Sequence, residues 1–111
     1  MAASQDPRAL LDAALAAHRA GDLTAAAEGY RRLLTRVPEQ ADALHLLGLV
    51  SLSQGHAAEA EGLIRRALAR ARGVAEVWNS LGNALVAQGK NDDAVLAFQQ
   101  ALTINPHMAM A

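Results

Sequence analysis

Apolar residues recur along this chain three and four positions apart, the period of an α-helix rather than the alternation of a strand. Leu10, Leu11, Ala14, Leu15 and Ala17 form the first such stripe. Asp6-Pro7 ahead of it reads as a helix start, with Asp as N-cap and Pro at the first helical position. Gly21-Asp22 ends that helix. A second, Thr24–Arg36, carries Tyr30, Leu33 and Leu34 on one face and stops at Val37-Pro38. The same pattern predicts helices over Ala41–Ser53, Ala57–Ala71, Ala75–Ala87 and Asn91–Ile104, with turns at Gln54-Gly55-His56 and Gln88-Gly89-Lys90. Asn91 is expected to cap the last helix, and Asp92 and Asp93 suit the positive end of its dipole.

The pattern also repeats as a whole. Gly21, Gly55 and Gly89 stand 34 residues apart, and so do Ala26, Ala60 and Ala94, Leu34, Leu68 and Leu102, and the bulky trio Tyr30, Ile64 and Phe98. Leu47-Gly48 recurs as Leu81-Gly82, and Leu10, Leu44 and Trp78 share one column. These are the columns a helical hairpin needs: glycine at the turn, small residues where paired helices approach, bulky ones filling the space between. The expected division is a lead over residues 1–6, units over 7–40, 41–74 and 75–108, and a truncated tail over 109–111, together one domain. Composition agrees with an all-α chain. Ala supplies 27 of the 111 positions and Leu 17, against 2 Ile and 6 Val, and Ala and Leu lead the helix scale while strands favour β-branched and aromatic residues.

Trp78, Leu81-Gly82, Leu85, Gly89, Ala94, Phe98, Ala101 and Pro106 stand where the 34-residue tetratricopeptide signature wants them, so the chain resembles that family from Pro7 to Met108. The first unit matches in Gly21, Ala26, Tyr30 and Pro38 but has Ala13-Ala14 for the usual Leu-Gly and Leu33 for Ala. The second has Arg72 for the closing Pro, which is expected to loosen the turn after Ala71. The resemblance implies an α-solenoid of three stacked antiparallel hairpins in a right-handed superhelix. Its concave groove would be lined by the first helix of each unit: Leu11, Leu15 and His18, then Asp42, His45, Leu49 and Ser53, then Glu76, Asn79 and Asn83. Arg8, Asp12, Arg19, Leu46, Leu52, Ser80, Val86 and Ala87 share those faces. An apolar floor of Leu11, Leu15 and Leu49 with polar groups around it suits an extended peptide or a partner helix.

Asn79 and Asn83 lie four residues apart on one helix face, and a carboxamide both donates to and accepts from a peptide backbone. Family members that grip extended peptides use Asn in this way. His45, near Asp42 and His18, reads as part of a polar cluster. Chaperone-binding members hold a terminal carboxylate with Lys and Asn in their first unit; Leu11 and Leu15 hold those places here, which argues against such a clamp.

Charge and chemistry narrow the expected function. Ten basic and eleven acidic residues give a net charge of −1, without the basic excess that nucleic-acid binding leaves. Arg31, Arg32 and Arg36 recur in column as Arg65, Arg66 and Arg70, but Glu28 and Glu61 stand four residues before Arg32 and Arg65, the order of helix-surface ion pairs. The stripe is read as solvated decoration. There is no Cys, no HExxH and no phosphate-binding glycine loop; His56 and Glu59 share a turn without making a metal site. No catalytic residue, metal or cofactor is assigned. No apolar run reaches membrane-span length, and the first residues lack a secretory leader's character, so a cytoplasmic protein without membrane or nucleic-acid partners is expected.

A protein-interaction module binding a peptide or helix in the groove is the leading expectation. The chain stops where a fourth hairpin would begin, with no capping helix. Val95, Phe98 and Leu102 lie on the last helix, and some of that apolar face is expected to be left against water, as an association surface for a homo-oligomer, unless the last residues fold back over it. A third expectation comes from Asn79-Ser80-Leu81-Gly82-Asn83-Ala84-Leu85. It resembles the repeats preceding the catalytic domain of O-linked N-acetylglucosamine transferase-like proteins, which would make this chain the leading segment of a larger enzyme. Those arrays align Asn along the groove, whereas Asp12, Leu46 and Ser80 hold the matching places here and only Asn83 fits.

Overall fold

The computed structural model describes residues 6–110, so most of the expected lead (residues 1–5) and the final residue, Ala111, lie outside it. Six helices follow one another: α1 (Pro7–Arg19), α2 (Leu23–Arg36), α3 (Ala41–Ser53), α4 (Ala57–Leu68), α5 (Ala75–Ala87) and α6 (Asn91–Ile104). A 3-10 turn, Pro106–Met110, packs on α6. No strand occurs among the described residues. Each helix packs on the next in order, and α3 also touches α5. The stack measures 47 × 26 × 24 Å. Its radius of gyration, 14.3 Å, exceeds the about 13 Å of a compact domain of this length. This is an all-α solenoid of three antiparallel hairpins.

The hairpin turns repeat in atomic detail. After α1, the Gly21 amide donates to the His18 carbonyl and the Asp22 amide to Ala17; after α3, Gly55 donates to Leu52 and His56 to Ser51; after α5, Gly89 donates to Val86 and Lys90 to Leu85. This paired pattern closes a helix with a left-handed residue, and the three glycines have φ of +83°, +84° and +76°. Only glycine adopts that backbone without cost, which is why the 34-residue glycine spacing was so legible.

Small residues set how closely the helices approach. A methyl added at Gly48 would meet Ile64 at 2.8 Å, and one at Gly82 would overlap the Phe98 ring. The first hairpin reverses the arrangement. Its Ala14 stands in the glycine column, and the facing α2 supplies Gly29, where a methyl would meet Ala14 at 2.7 Å. The departure of Ala13-Ala14 from the family pattern is thus compensated across the helix pair. Tyr30, Leu44 and Ile64 are completely buried, and Leu34 touches all three apolar clusters of the core.

Three local expectations are corrected. α4 ends at Leu68, not Ala71: Arg70 and Ala71 bond three residues back, to Ala67 and Leu68, and the segment tightens out of the α-helix. Without a proline at Arg72, the following loop is pinned instead by Trp78, whose indole Nε1–H donates to the Arg72 carbonyl at 2.8 Å. Asn91 is the first helical residue rather than the cap, and Lys90 before it makes no side-chain cap bond. Asp6 occupies the N-cap position without a side-chain bond, whereas Asp22 accepts from the Ala25 amide at 3.1 Å and Gln40 from Ala43 at 2.6 Å.

Candidate functional site

The first helices of the three hairpins, α1, α3 and α5, carry the residues singled out for a groove. Leu11, Leu15, His18, His45, Leu49 and Asn79 are half-buried, and Asp42, Ser53, Glu76 and Asn83 are exposed. Their helical spacing dictates this. On α5, at about 100° per residue, Glu76, Asn79 and Asn83 fall on one side while Trp78, Leu81 and Leu85 fall on the other, against the neighbouring hairpin.

A hydrogen-bonded chain links α3 to α5 on this side. The Ser80 hydroxyl donates to the Glu76 carbonyl at 3.0 Å, and His45 Nε2 lies 2.8 Å from the same oxygen. One hydroxyl thus bridges the two helices through His45 and the Glu76 carbonyl. Burial pushes the His45 pKa below 6.5, outweighing the nearby Asp42 and Glu76 carboxylates that would raise it. His45 and His18 do not share a cluster. His18 instead faces its own hairpin, with Nδ1 2.9 Å from the Tyr30 hydroxyl and the two rings edge to face. That contact satisfies the one polar atom of a completely buried tyrosine. Burial also raises the Tyr30 pKa, against the lowering influence of Arg19.

Comparison with known proteins agrees with the fold. A family model described as tetratricopeptide repeat matches residues 2–41, 11–74 and 45–109. The chain belongs to the tetratricopeptide repeat family. Human tetratricopeptide repeat protein 7A is 37% identical to the array over 84 residues, which is 76% of this chain and 10% of that protein. An O-GlcNAc transferase structure from Thermobaculum terrenum superposes with a TM-score of 0.87 at 38% identity, over 94% of this chain and 20% of that one. The array therefore spans a tenth and a fifth of these relatives. The first tetratricopeptide domain of Spaghetti, solved with an HSP90 peptide, superposes with a TM-score of 0.85 over 93% of this chain and 84% of that one, at 19% identity, a likeness of fold alone.

One residue of the tetratricopeptide array was read too narrowly from sequence. Glu61 does pair with Arg65, at 2.7 Å, but it also accepts from the Gln88 carboxamide at 2.8 Å and from Lys90 Nζ at 3.1 Å. It joins α4 to the turn of the next hairpin. The Arg65 bond, followed by that of Gln88, draws its pKa from 4.5 down to about 2. Gln88 and Lys90 lie 27 and 29 residues away, and only the 34-residue register could have brought them to notice. The parallel pair of Glu28 and Arg32 forms no ion pair; Arg8–Asp12, at 4.0 Å, and the expected His56–Glu59 contact, at 3.7 Å, complete those of the described residues.

At the last hairpin Val95 and Leu102 are exposed, as expected, but Phe98 is partly buried against Gly82. Val86, on the Asn79 side of α5, is also exposed. No group of three or more His, Asp or Glu among the described residues converges as a metal site, and no described helix is long and apolar enough to cross a membrane.

Proposed function

We propose that this array is a protein-interaction module that binds an extended peptide or a partner helix across α1, α3 and α5. The observation that supports it most is the combination on those helices: half-buried Leu11, Leu15 and Leu49 beside the Asn79 and Asn83 carboxamides and the half-buried His45 imidazole. The apolar side chains supply contact area and the amides fix the register of a backbone. The exposed carboxylates of Asp42 and Glu76 favour a ligand with basic residues at its rim. Peptide display on the intact array, followed by titration of the selected ligand, tests the reading. Asn79→Ala with Leu49→Asp is expected to weaken binding at least tenfold, and Asn83→Ala, at an exposed position, several-fold. Unchanged affinity in the folded variants would overturn it.

The last hairpin supports a second reading, self-stacking. Val86 and Leu102 are 50% and 39% exposed, while Leu52 and Leu68, their column mates in the middle hairpin, pack against the next repeat. A second copy stacked on this face would cover them. Sedimentation equilibrium is expected to show a concentration-dependent oligomer that Leu102→Glu abolishes; a monomer throughout would remove the reading. A third, the leading segment of a larger transferase-like enzyme, draws support from the 38% identity to the Thermobaculum terrenum protein. Mass spectrometry of the protein isolated from its host tests it: a chain ending at Ala111 would exclude this reading.

A further inference from the structure

The side of α5 turned away from Asn79 and Asn83 carries a groove of its own. It is an open surface groove between α4 and α6 of about 580 Å³, with half-buried Trp78 and the buried Leu81 and Leu85 beneath it. A smaller recess of about 180 Å³ continues it past Trp78 toward Leu68 and Arg72. One column differs between the middle and last hairpins at this place, and its residue in the last hairpin, Ala97, is buried. The middle hairpin has Leu63 at this place, packed into the core beneath α3; the last hairpin has Ala97, three carbons shorter, and Trp78 stands where the middle hairpin has Leu44. On the α6 rim Leu96 is 64% exposed, the highest value of any large apolar side chain described.

Charge along the groove is uneven. At the Trp78 end the walls carry Arg65 and Arg72, with Arg66 and Arg70 on the adjoining turn of chain, all exposed. Glu61 engages Arg65 through Nε, and Arg66 donates to the Pro38 carbonyl. The outer nitrogens of Arg65 and the whole Arg72 guanidinium have no side-chain partner among the described residues. The lining carboxylate, Asp93, sits at the opposite end beside Leu85, about 10 Å along α5. The opposite wall at the Trp78 end is neutral: Gln99, Gln100 and Thr103.

We propose that this groove is a second binding site, taking a bulky apolar side chain of an acidic peptide. The side chain packs between the half-buried Trp78 indole and exposed Leu96, and the peptide's carboxylates meet Arg65 and Arg72. An aromatic anchor gains contact with the indole face, and a carboxylate matches the planar guanidinium fork. The excess of arginine over carboxylate at this end selects an acidic partner over a neutral or basic one.

Trp78 is the only tryptophan of the chain, so its fluorescence reports the site directly. The probe is a six-residue acidic peptide with one central phenylalanine, titrated against the whole array. Two controls carry alanine for the phenylalanine or glutamine for every glutamate. The acidic peptide is expected to shift the emission saturably, and each control to bind at least fivefold more weakly. Ala97→Leu, at a buried position beneath the groove, is expected to reduce affinity at least tenfold, with circular dichroism checking that the variant still folds. Leu96→Ser, at an exposed position that cannot compromise folding, is expected to reduce it several-fold. The proposal is overturned by a flat titration, by equal binding of the glutamine peptide, or by full affinity in both variants. Loss of binding in Leu49→Asp alone would place the peptide on the other face and overturn it equally.

Discussion

Glu61 shows how much one side chain contributes when three donors converge on it. Its carboxylate is 15% exposed and accepts from Arg65, Gln88 and Lys90, and charged hydrogen bonds are worth more than exposed ion pairs. Its pKa lies below the unfolded value, so the stabilisation is complete above about pH 4.5 and is lost as pH falls through about 2. Glu61→Gln is expected to cost about 1–2 kcal/mol at pH 7 and little near pH 2, measured by urea denaturation at both. An equal cost at the two pH values would show that shape, not charge, matters there. The sequence displayed the Arg65 partner through its four-residue spacing and concealed the others. His45 shows the same division. Its place on the α3 face followed from periodicity, while its bond to Ser80 depends on how α3 and α5 cross, which no local pattern records.

Helix pairs are governed by columns of small residues, and two glycines separate packing from propensity. Gly82, on α5, lies against the Phe98 ring, so Gly82→Ala is expected to cost about 1–3 kcal/mol by overpacking. Gly62, exposed within α4, has open space where its methyl would go. Gly62→Ala is expected to gain about 0.5–1 kcal/mol from helix propensity alone. Thermal unfolding of the two variants checks this; a stable Gly82→Ala protein would mean that α5 and α6 can slide apart. Column identity made the helices and their turns legible, because glycine at positive φ and alanine at close approach are chemical necessities that repeat. It failed where one unit departs alone. The early end of α4 goes with amides of Arg70 and Ala71 that bond three residues back and with an indole that reaches back to Arg72, and the Ala14–Gly29 exchange needs both helices to be seen together.

A linear stack has ends, and its stability cannot be uniform. The middle hairpin is covered from both sides: Ala43, Leu44, Val50, Ala60, Ile64 and Ala67 have no exposed surface at all. α1 begins the described stack with α2 as its principal neighbour, and α6 packs on α5 and the 3-10 turn with Val95 and Leu102 left in water. In an array where each repeat gains stability only from its neighbours, opening starts in the helices with the fewest packed neighbours. Native-state hydrogen exchange is therefore expected to rank the amides of α3, α4 and α5 as most protected, with α1 and α6 opening at lower free energy. The Glu61 link ties the third hairpin to the second, so Glu61→Gln should lower protection in α5 and α6 more than in α1 and α2. If all six helices exchanged at one common free energy, before and after that substitution, the three hairpins would be a single cooperative unit. A ligand on either proposed face would then stabilise the whole chain equally. With graded protection, a ligand spanning α1, α3 and α5 would raise the terminal helices most, and one held between α4 and α6 would raise only the last hairpin.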